Sequence, residues 1–360
     1  MHMHYSGLLK QHTLLIIDKD AKQENDRTWC FWQKEPSDYE AIVHHKWQNL
    51  HVASNSFDQK KIVAPYWYKM IKGIDFYNHC HTVLKANSNT TMLQANITGM
   101  VTLPSGAMVT ANGLQYTSQY AFSSILLTPP KLKPTQQYLL QHFKGYVIET
   151  PNQVFDAAVA TFMDFRVSQQ HGTTFCYVLP LSSTKALVEY TLFTHLQLTT
   201  EQYNAGLEQY ISQQLNISKY TITSTEQGVI PMTDYAFAKA DGNIIYIGTA
   251  GGNTRGSSGY TFNYIQKHSK ALVQVLMSTK HPASASKSIS NKAAFFDKVL
   301  LNVLARKYQN GDVIFGKMLR KKSLLPLLRF LDDESTLVDD LKVIFSQSPY
   351  PFIKALYKSL

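Results

Sequence analysis

The sequence predicts an α/β fold in which one α/β domain is interrupted by an antiparallel β domain and followed by a helical C-terminal region. Three observations support this prediction. Leu14–Asp18, four Leu/Ile residues followed by an acid, is typical of a parallel strand. Residues 145–194 contain four strand candidates in succession, which indicates antiparallel pairing. Residues 243–277 have the pattern of strand, glycine-rich loop and helix, which predicts that the chain returns here to its first domain.

These elements divide the chain into four segments. We expect the α/β domain at 1–130, the antiparallel domain at 131–240, the return segment at 241–280 and the helical region at 281–360. The proline-rich stretch 129–134 would link the first two segments. A chain of 360 residues is long enough for about two domains of roughly 150 residues each.

Composition limits the possible partners. The net charge of +10 would suit either nucleic acid or an anionic membrane surface. Residues 287–360 carry 13 Lys+Arg against 7 Asp+Glu, interspersed with leucine and phenylalanine. Basic residues beside large apolar ones are typical of a helix that lies on a membrane, so we expect a membrane surface and no nucleic acid. The alternative is an ordinary helix with a solvated face.

No metal site, disulfide framework or membrane span is expected. Cys30, Cys80 and Cys176 are far apart, which suits a reducing cytosol. The His79-Cys80-His81 run is too short to be a metal site on its own. No stretch approaches the ~18 consecutive apolar residues of a membrane-spanning helix.

The strand Leu14–Asp18 predicts part of a dinucleotide site. The second strand of a Rossmann domain ends in an acid that binds the adenosine ribose, and Asp18 fits that role. The glycine fingerprint of such domains should lie about 20 residues upstream, which is before residue 1. We therefore expect either that the sequence starts inside a longer product or that its dinucleotide binding is defective.

One ionisable residue, Glu189, lies in the middle of the strand candidate 186–193, which is apolar on both faces. A buried carboxyl group must find a cation or hold a proton, and in the second case it can act as a proton donor. The alternative is a structural carboxylate paired with Arg166. Asp164 and Arg166 are two apart on one strand, so they share a face, as an active-site pair or as a plain ion pair.

Several segments together resemble the bacterial lycopene cyclases, flavoproteins of carotenoid biosynthesis. No single motif is decisive, but eight occur in the right order: Leu14-Leu-Ile-Ile-Asp18, Asn25-Asp-Arg-Thr-Trp-Cys-Phe-Trp32, Gly145-Tyr-Val-Ile-Glu-Thr150, Met163-Asp-Phe-Arg166, Tyr177-Val-Leu-Pro-Leu181, Leu187-Val-Glu-Tyr-Thr191, Ile230-Pro-Met-Thr233, and Ile247-Gly-Thr-Ala-Gly-Gly252 through Gly259-Tyr-Thr-Phe262.

The resemblance implies a glutathione-reductase-like fold with an FAD-binding Rossmann domain. It also implies isomerisation of the acyclic ends of lycopene, and of other acyclic carotenoids, to β rings. FAD would act in reduced form, kept so by NAD(P)H, without net redox change. The enzyme would lie in the bacterial cytoplasm, at the periphery of the membrane. Glu189 matches the catalytic acid of the family.

The resemblance also implies the cofactor contacts. Asp18 would bind the ribose, while Arg27, Trp29 and Trp32 would line the flavin or polyene pocket, with core packing as the alternative. The second FAD contact would be the glycine-rich loop and the helix start, for which a flexible turn is the alternative: Gly248, Thr249, Gly251, Gly252, Tyr260 and Thr261. Two rival functions stay open: another FAD- and NAD(P)H-dependent isoprenoid-modifying oxidoreductase, and a non-catalytic polyene-binding protein.

Overall fold

The structure is a computed structural model that describes residues 1–359. Strands account for much of the first two thirds of the chain. In chain order they are β1 Leu14–Asp18, β2 Thr28–Gln33, β3 His45–Trp47, β4 Asn49–Ser54, β5 Phe57–Ile62, β6 Trp67–Lys72, β7 Thr90–Gln94, β8 Ile97–Leu103, β9 Gly106–Ala111, β10 Leu114–Ser118, β11 Ala121–Ser123, β12 Tyr138–Glu149, β13 Val159–Asp164, β14 Thr173–Pro180, β15 Lys185–Thr194, β16 Thr221–Thr233, β17 Ala240–Asp241 and β18 Ile244–Tyr246.

Helices dominate the last third, as the sequence predicts for residues 281–360. They are α1 His2–Tyr5, α2 Gly73–Lys85, α3 Thr200–Gln213, α4 Phe262–Met277, α5 Asn291–Ala305, α6 Gly311–Leu319, α7 Leu325–Leu331, α8 Leu337–Ile344 and α9 Pro349–Ser359. Within residues 1–359, no helix is both long enough and apolar enough to cross a membrane.

A seven-stranded sheet in the order β16-β12-β15-β14-β13-β4-β5 is the largest element. Its pairs are antiparallel except for β13 with β4. The strands β4 and β5 come from residues 49–62, so this sheet is not confined to the predicted segment 131–240. The sheet extends beyond that segment because β4 pairs in parallel with β13, and β5 in turn pairs antiparallel with β4.

Both faces of the central sheet are covered, which explains why its strands are apolar on both sides. On one face, Val188 and Tyr190 pack with α3. On the other face, Leu187 and Phe193 pack with the C-terminal helices, where the Phe193 and Phe315 rings lie 5.9 Å apart. The helix α3 is capped by Thr199 together with Gln202.

The predicted α/β part contains parallel strands, but they lie in two separate small sheets. Strand β1 pairs with β7, and β11 pairs with β18. No residue of β1 is fully buried, and Leu15 is exposed. The expected mixed α/β fold with parallel strands is therefore confirmed, although these strands do not form one continuous sheet within the described residues.

A buried ion pair fixes the glycine-rich loop that follows β18. The Arg255 guanidinium donates two hydrogen bonds of 2.8 Å to the Asp297 carboxylate, and both side chains are at most 5% exposed. Asp297 also accepts from the Ser257 hydroxyl and the Gly256 N–H. Arg255 donates further to carbonyls at the end of α7. The loop is therefore anchored to α5 and α7 at once.

A candidate active-site cavity with two carboxyl groups

A cavity of about 310 Å³ lies between the central sheet, the strand β2 and the glycine-rich loop. Aromatic and aliphatic side chains form about half of its wall, and polar or charged residues form much of the rest. The residues that line it are Asp26, Arg27, Thr28, Trp29, Cys30, Tyr68, Gln141, Phe143, Tyr177, Leu179, Leu187, Glu189, Gln227, Gly228, Val229, Ile230, Pro231, Thr249, Ser258, Gly259, Tyr260, Thr261 and Phe262.

Two glutamates face each other across one glycine of the sheet. Strand β12 lies between β15 and β16, and its Gly145 is paired with Glu189 of β15 on one side and with Glu226 of β16 on the other. Directly paired residues of antiparallel strands point to the same face. Tyr177 of β14 continues this row beyond Glu189. The row therefore places both carboxyl groups on the cavity face of the sheet, where Glu189 lines the cavity and Glu226 lies beside it.

The glycine is required by this close approach. A Cβ atom at Gly145 would lie 2.9 Å from Leu187 Cδ1 and 3.1 Å from Glu226 Cγ. Any side chain at this position would therefore occupy the space into which Glu226 reaches. A glycine inside a strand often marks such an approach.

Each carboxyl group has one hydroxyl donor, and neither has a cationic partner within residues 1–359. The Thr191 hydroxyl donates to Glu189 Oε1 at 2.6 Å, and the Thr28 hydroxyl donates to Glu226 Oε2 at 2.6 Å. Burial raises the pKa of Glu189 well above its usual range, and the neighbouring Glu226 raises it further. Burial likewise raises the pKa of Glu226. Both shifts favour the protonated form of each carboxyl group.

Asp164 and Arg166 are not part of this site. Asp164 is paired with Cys176 of β14, a residue on the α3 face of the sheet, so it lies on the face opposite Glu189. The Arg166 guanidinium donates to Asp164 at 2.7 and 3.0 Å, and Tyr210 of α3 donates at 2.9 Å. The structure pairs these two residues with each other on the face away from Glu189, and the catalytic role predicted for them stays a prediction.

The strand β2 forms the wall opposite the sheet. Arg27 and Trp29 line the cavity, and the guanidinium carbon of Arg27 lies 5.9 Å from the Trp29 ring while the side chain pairs with Asp26 at 2.7 Å. Trp32 is instead packed in the core, edge-on to Tyr260 with the ring centroids 4.7 Å apart. Of the predicted pocket aromatics, Trp29 thus reaches the cavity and Trp32 does not.

The glycine-rich loop borders the third side of the cavity. Gly248 and Gly252 have φ of +59° and +72°, which favours glycine. Three hydroxyls are linked across the loop, since Thr254 Oγ1 lies 2.9 Å from Thr249 Oγ1 and 3.0 Å from Thr261 Oγ1. Of the predicted contact residues in the loop, three line the cavity and three do not: Thr249, Tyr260 and Thr261 line it, whereas Gly248, Gly251 and Gly252 do not.

Helix α4 begins at the cavity, because Thr261 is its N-cap and Phe262 its first residue. Four buried polar atoms of the lining have no hydrogen-bond partner among the described residues: Trp29 Nε1, Gln141 Oε1, Ser258 Oγ and Tyr260 Oη. Such atoms are rare in native structures and indicate a ligand with complementary polar edges. The lining therefore suits a flat, largely apolar group that carries hydrogen-bonding atoms along its rim.

Asp18 lies apart from the cavity lining, at the C-terminal end of β1. Its carboxylate is about half exposed, accepts from the Asp20 N–H at 2.9 Å and lies 3.9 Å from Lys22 Nζ. This position is compatible with a ribose contact, which stays a prediction. Within residues 1–359 no group of three or more His, Cys, Asp or Glu side chains could hold a metal ion, and the His79-Cys80-His81 run is no exception.

Glu226 and Thr28 are the site residues that the sequence did not reveal. Glu226 lies in a strand whose other residues are mostly exposed and polar, so nothing local distinguishes it. The available signal was Gly145, a glycine inside a predicted strand, which indicates a close approach. Its partner could be identified only once the strand order was known.

Comparisons with known proteins identify a matching family and several structures of similar fold. A family model described as lycopene cyclase protein matches residues 9–357. Among solved structures, the chain is similar to a flavoprotein/dehydrogenase from Cytophaga hutchinsonii, at 10% identity and a TM-score of 0.61, over 98% of this chain and 94% of that one.

Two further structures are similar. One is HpxO of Klebsiella pneumoniae complexed with FAD and uric acid, at 11% identity and a TM-score of 0.58, over 90% of this chain and 96% of that one. The other is a geranylgeranyl bacteriochlorophyll reductase-like protein from Thermoplasma acidophilum, at 12% identity and a TM-score of 0.57, over 100% of this chain and 96% of that one. These likenesses confirm the fold alone. The comparison with curated proteins found no match.

Proposed function

The chain belongs to the lycopene cyclase protein family, and from this premise we propose that it closes the acyclic ends of lycopene into β rings, with Glu189 as the acid. The observation that carries the proposal is a carboxyl group with no cationic partner within residues 1–359, held above an apolar cavity. Such a group keeps its proton at neutral pH and can give it to a substrate that has no polar group of its own.

The proposed reaction is an isomerisation, because one proton is added and one is lost and the molecular formula does not change. Glu189 gives its proton to the terminal C=C bond of the polyene, and the electron pair of that bond forms the new C–H bond. The resulting cation is attacked by a second C=C bond, which closes the six-membered ring. The Glu189 carboxylate then takes a proton from the adjacent ring carbon, which forms the ring double bond and restores the charge balance.

The walls of the cavity support the cationic stage. The aromatic side chains Tyr68, Phe143, Tyr177 and Phe262 surround the carboxyl row. Aromatic faces attract cations, by about 2 kcal/mol or more where water is excluded. Excluding water also protects the cation from capture, which would give an alcohol in place of a ring.

We further propose that the protein uses FAD in reduced form, with NAD(P)H as the reductant. Solved relatives of similar fold are described as complexes with FAD. In this chain the ribose would contact Asp18, and the rest would lie along the Gly248–Gly251 turn, Thr261 and the start of α4. The four unpartnered polar atoms of the lining suit the rim of a flavin ring. When bound, the reduced flavin would supply an electron-rich surface beside the cation.

The function is tested by expressing the chain in a bacterium that accumulates lycopene and separating the pigments chromatographically. The proposal expects β-carotene. Unchanged lycopene would contradict it and favour a protein that binds polyenes without converting them. A more saturated isoprenoid, formed in step with NAD(P)H oxidation by the purified protein, would identify an oxidoreductase instead.

We also propose that the protein binds the surface of an anionic lipid bilayer through α8 and α9. These helices expose large apolar side chains, which form what we call the C-terminal apolar surface: Leu337, Val338, Leu341, Ile344, Phe345, Tyr350, Ile353 and Tyr357. On α8 the spacing of Leu337, Leu341 and Ile344 places them on one face. Exposed lysines accompany them at 342, 354 and 358, so charge favours an anionic membrane.

The double substitution Leu337→Ser with Phe345→Ser is expected to weaken binding to phosphatidylglycerol-containing vesicles by about 100-fold or more, because the two side chains together contribute roughly 3–6 kcal/mol when fully buried. Co-sedimentation with vesicles measures the change. Leu114→Ser, at a 62% exposed leucine outside the C-terminal apolar surface, is the matched control and should bind as the wild type does. Equal binding by the double variant and the control would refute the assignment.

A further inference from the structure

We propose that Glu226 is a positioning residue that shares one proton with Glu189 above Gly145 and so holds Glu189 in its proton-donating form. This inference rests on the proposed function for the purpose of that proton, but the sharing itself follows from the geometry of the pair. No cation, metal cluster or helix end within residues 1–359 accounts for a second carboxyl group at this position.

The hydrogen bonds leave two oxygens for the shared proton. Thr191 donates to Oε1 of Glu189 and Thr28 donates to Oε2 of Glu226. The remaining oxygen of Glu226, Oε1, is buried without a partner. This atom lies 3.6 Å from the position that a Cβ of Gly145 would occupy, on the side of β12 to which Glu189 also points. A proton on Oε2 of Glu189 would satisfy it.

Leaving both carboxyl groups ionised would place two negative charges together with no cation beside them. Two carboxylates that share a site hold one proton well above the pH at which a single carboxylate loses it. A buried polar atom without a partner costs about 1–3 kcal/mol, more if charged. One proton shared by Glu189 and Glu226 removes the repulsion between two negative charges and also gives Glu226 Oε1 a hydrogen-bond partner.

Within the described residues, no other ionisable group around the pair supplies a positive charge that would stabilise two ionised carboxylates. They come from β2, β6, β14 and the glycine-rich loop: Cys30, Tyr68, Tyr177, Tyr260, and the Asp26–Arg27 ion pair. Burial raises the pKa of the Cys30 thiol and of all three tyrosines, so these groups are neutral near pH 7. Arg27 is already paired with Asp26.

A direct test is infrared spectroscopy of the protein labelled with ¹³C-glutamate, which follows the protonated carboxyl stretch as the pH rises. In the wild type the signal should persist above neutral pH. In Glu226→Gln the signal should vanish at a pH lower by about one unit or more, since the neighbouring charge is gone. Thr28→Val, which leaves both carboxyl groups in place, should keep a signal that persists above neutral pH.

The pH profile of lycopene conversion gives the second readout. Activity requires protonated Glu189, so its alkaline limb should move to lower pH in Glu226→Gln by the same amount as the infrared signal. Glu149→Gln replaces an exposed glutamate of β12 that pairs with Lys185, and it should leave the limb in place.

The outcomes separate the two proposals. A limb that stays in place while activity falls equally at all pH values would mean that Glu226 is only structural. If the carboxyl stretch of a folded Glu226→Gln protein disappears with the same pH midpoint as in the wild type, the two glutamates do not share a proton. If the infrared midpoint shifts but the wild type forms no β rings, the proton sharing stands and the proposed substrate is wrong.

Discussion

Replacement of Glu189 by glutamine is expected to abolish ring formation while the protein stays folded. Glutamine keeps the shape of the side chain and can still accept from the Thr191 hydroxyl, but it has no acidic proton. Loss of a general acid typically costs about 10²–10⁴-fold in rate, and a hydrocarbon substrate has no acidic group of its own. Pigment analysis in the lycopene-accumulating host, with circular dichroism of the purified variant, measures both parts.

The matched control for this substitution is Glu149→Gln, which makes the same chemical change at an exposed position of the same sheet. It should leave pigment conversion unchanged. If folded Glu189→Gln still forms β-carotene at a rate near that of the wild type, the acid lies elsewhere. Glu226 would then be the first candidate to replace it.

The second large effect concerns stability. Asp297→Ala is expected to lower the free energy of unfolding by about 3–5 kcal/mol, because it leaves the buried guanidinium of Arg255 without its counter-ion. The loss should also loosen the glycine-rich loop, which Asp297 holds through Ser257 and Gly256. Urea unfolding followed by circular dichroism measures the change.

Glu334→Ala is the control for this prediction, since it removes an exposed partner of Lys267 at 3.0 Å. Exposed ion pairs typically contribute about 0.2–1 kcal/mol, so this variant should stay close to the wild type. An Asp297→Ala protein no less stable than Glu334→Ala would show that the buried ion pair is not what anchors the loop.

The fold was predictable where a segment carries its own signal. Leu14–Asp18, the hairpin of β14 and β15, and the strand–loop–helix around Gly248–Gly251 all have local patterns, and the structure has each of them. The incorporation of β4 and β5 into the central sheet was not predictable. Pairing of β13 with β4 joins residues about 110 apart, and no local pattern encodes such a contact.

The candidate site shows the same division. Glu189 was identified because an acid inside an apolar strand is conspicuous by itself. Asp164 sits on a similar strand, and only the strand register shows that it points to the α3 face and forms an ion pair. Glu226 was missed because its position depends on two strand pairings that meet at Gly145.

The most direct test of the account is to run the conversion of lycopene in D₂O and analyse the product by mass spectrometry. The Glu189 proton exchanges with solvent between turnovers, so every β ring formed should carry one deuterium. Rings without deuterium would contradict the account, because the added hydrogen would not then come from an exchangeable acid. A product heavier by an added pair of hydrogens would contradict it as well, because the reaction would be a reduction.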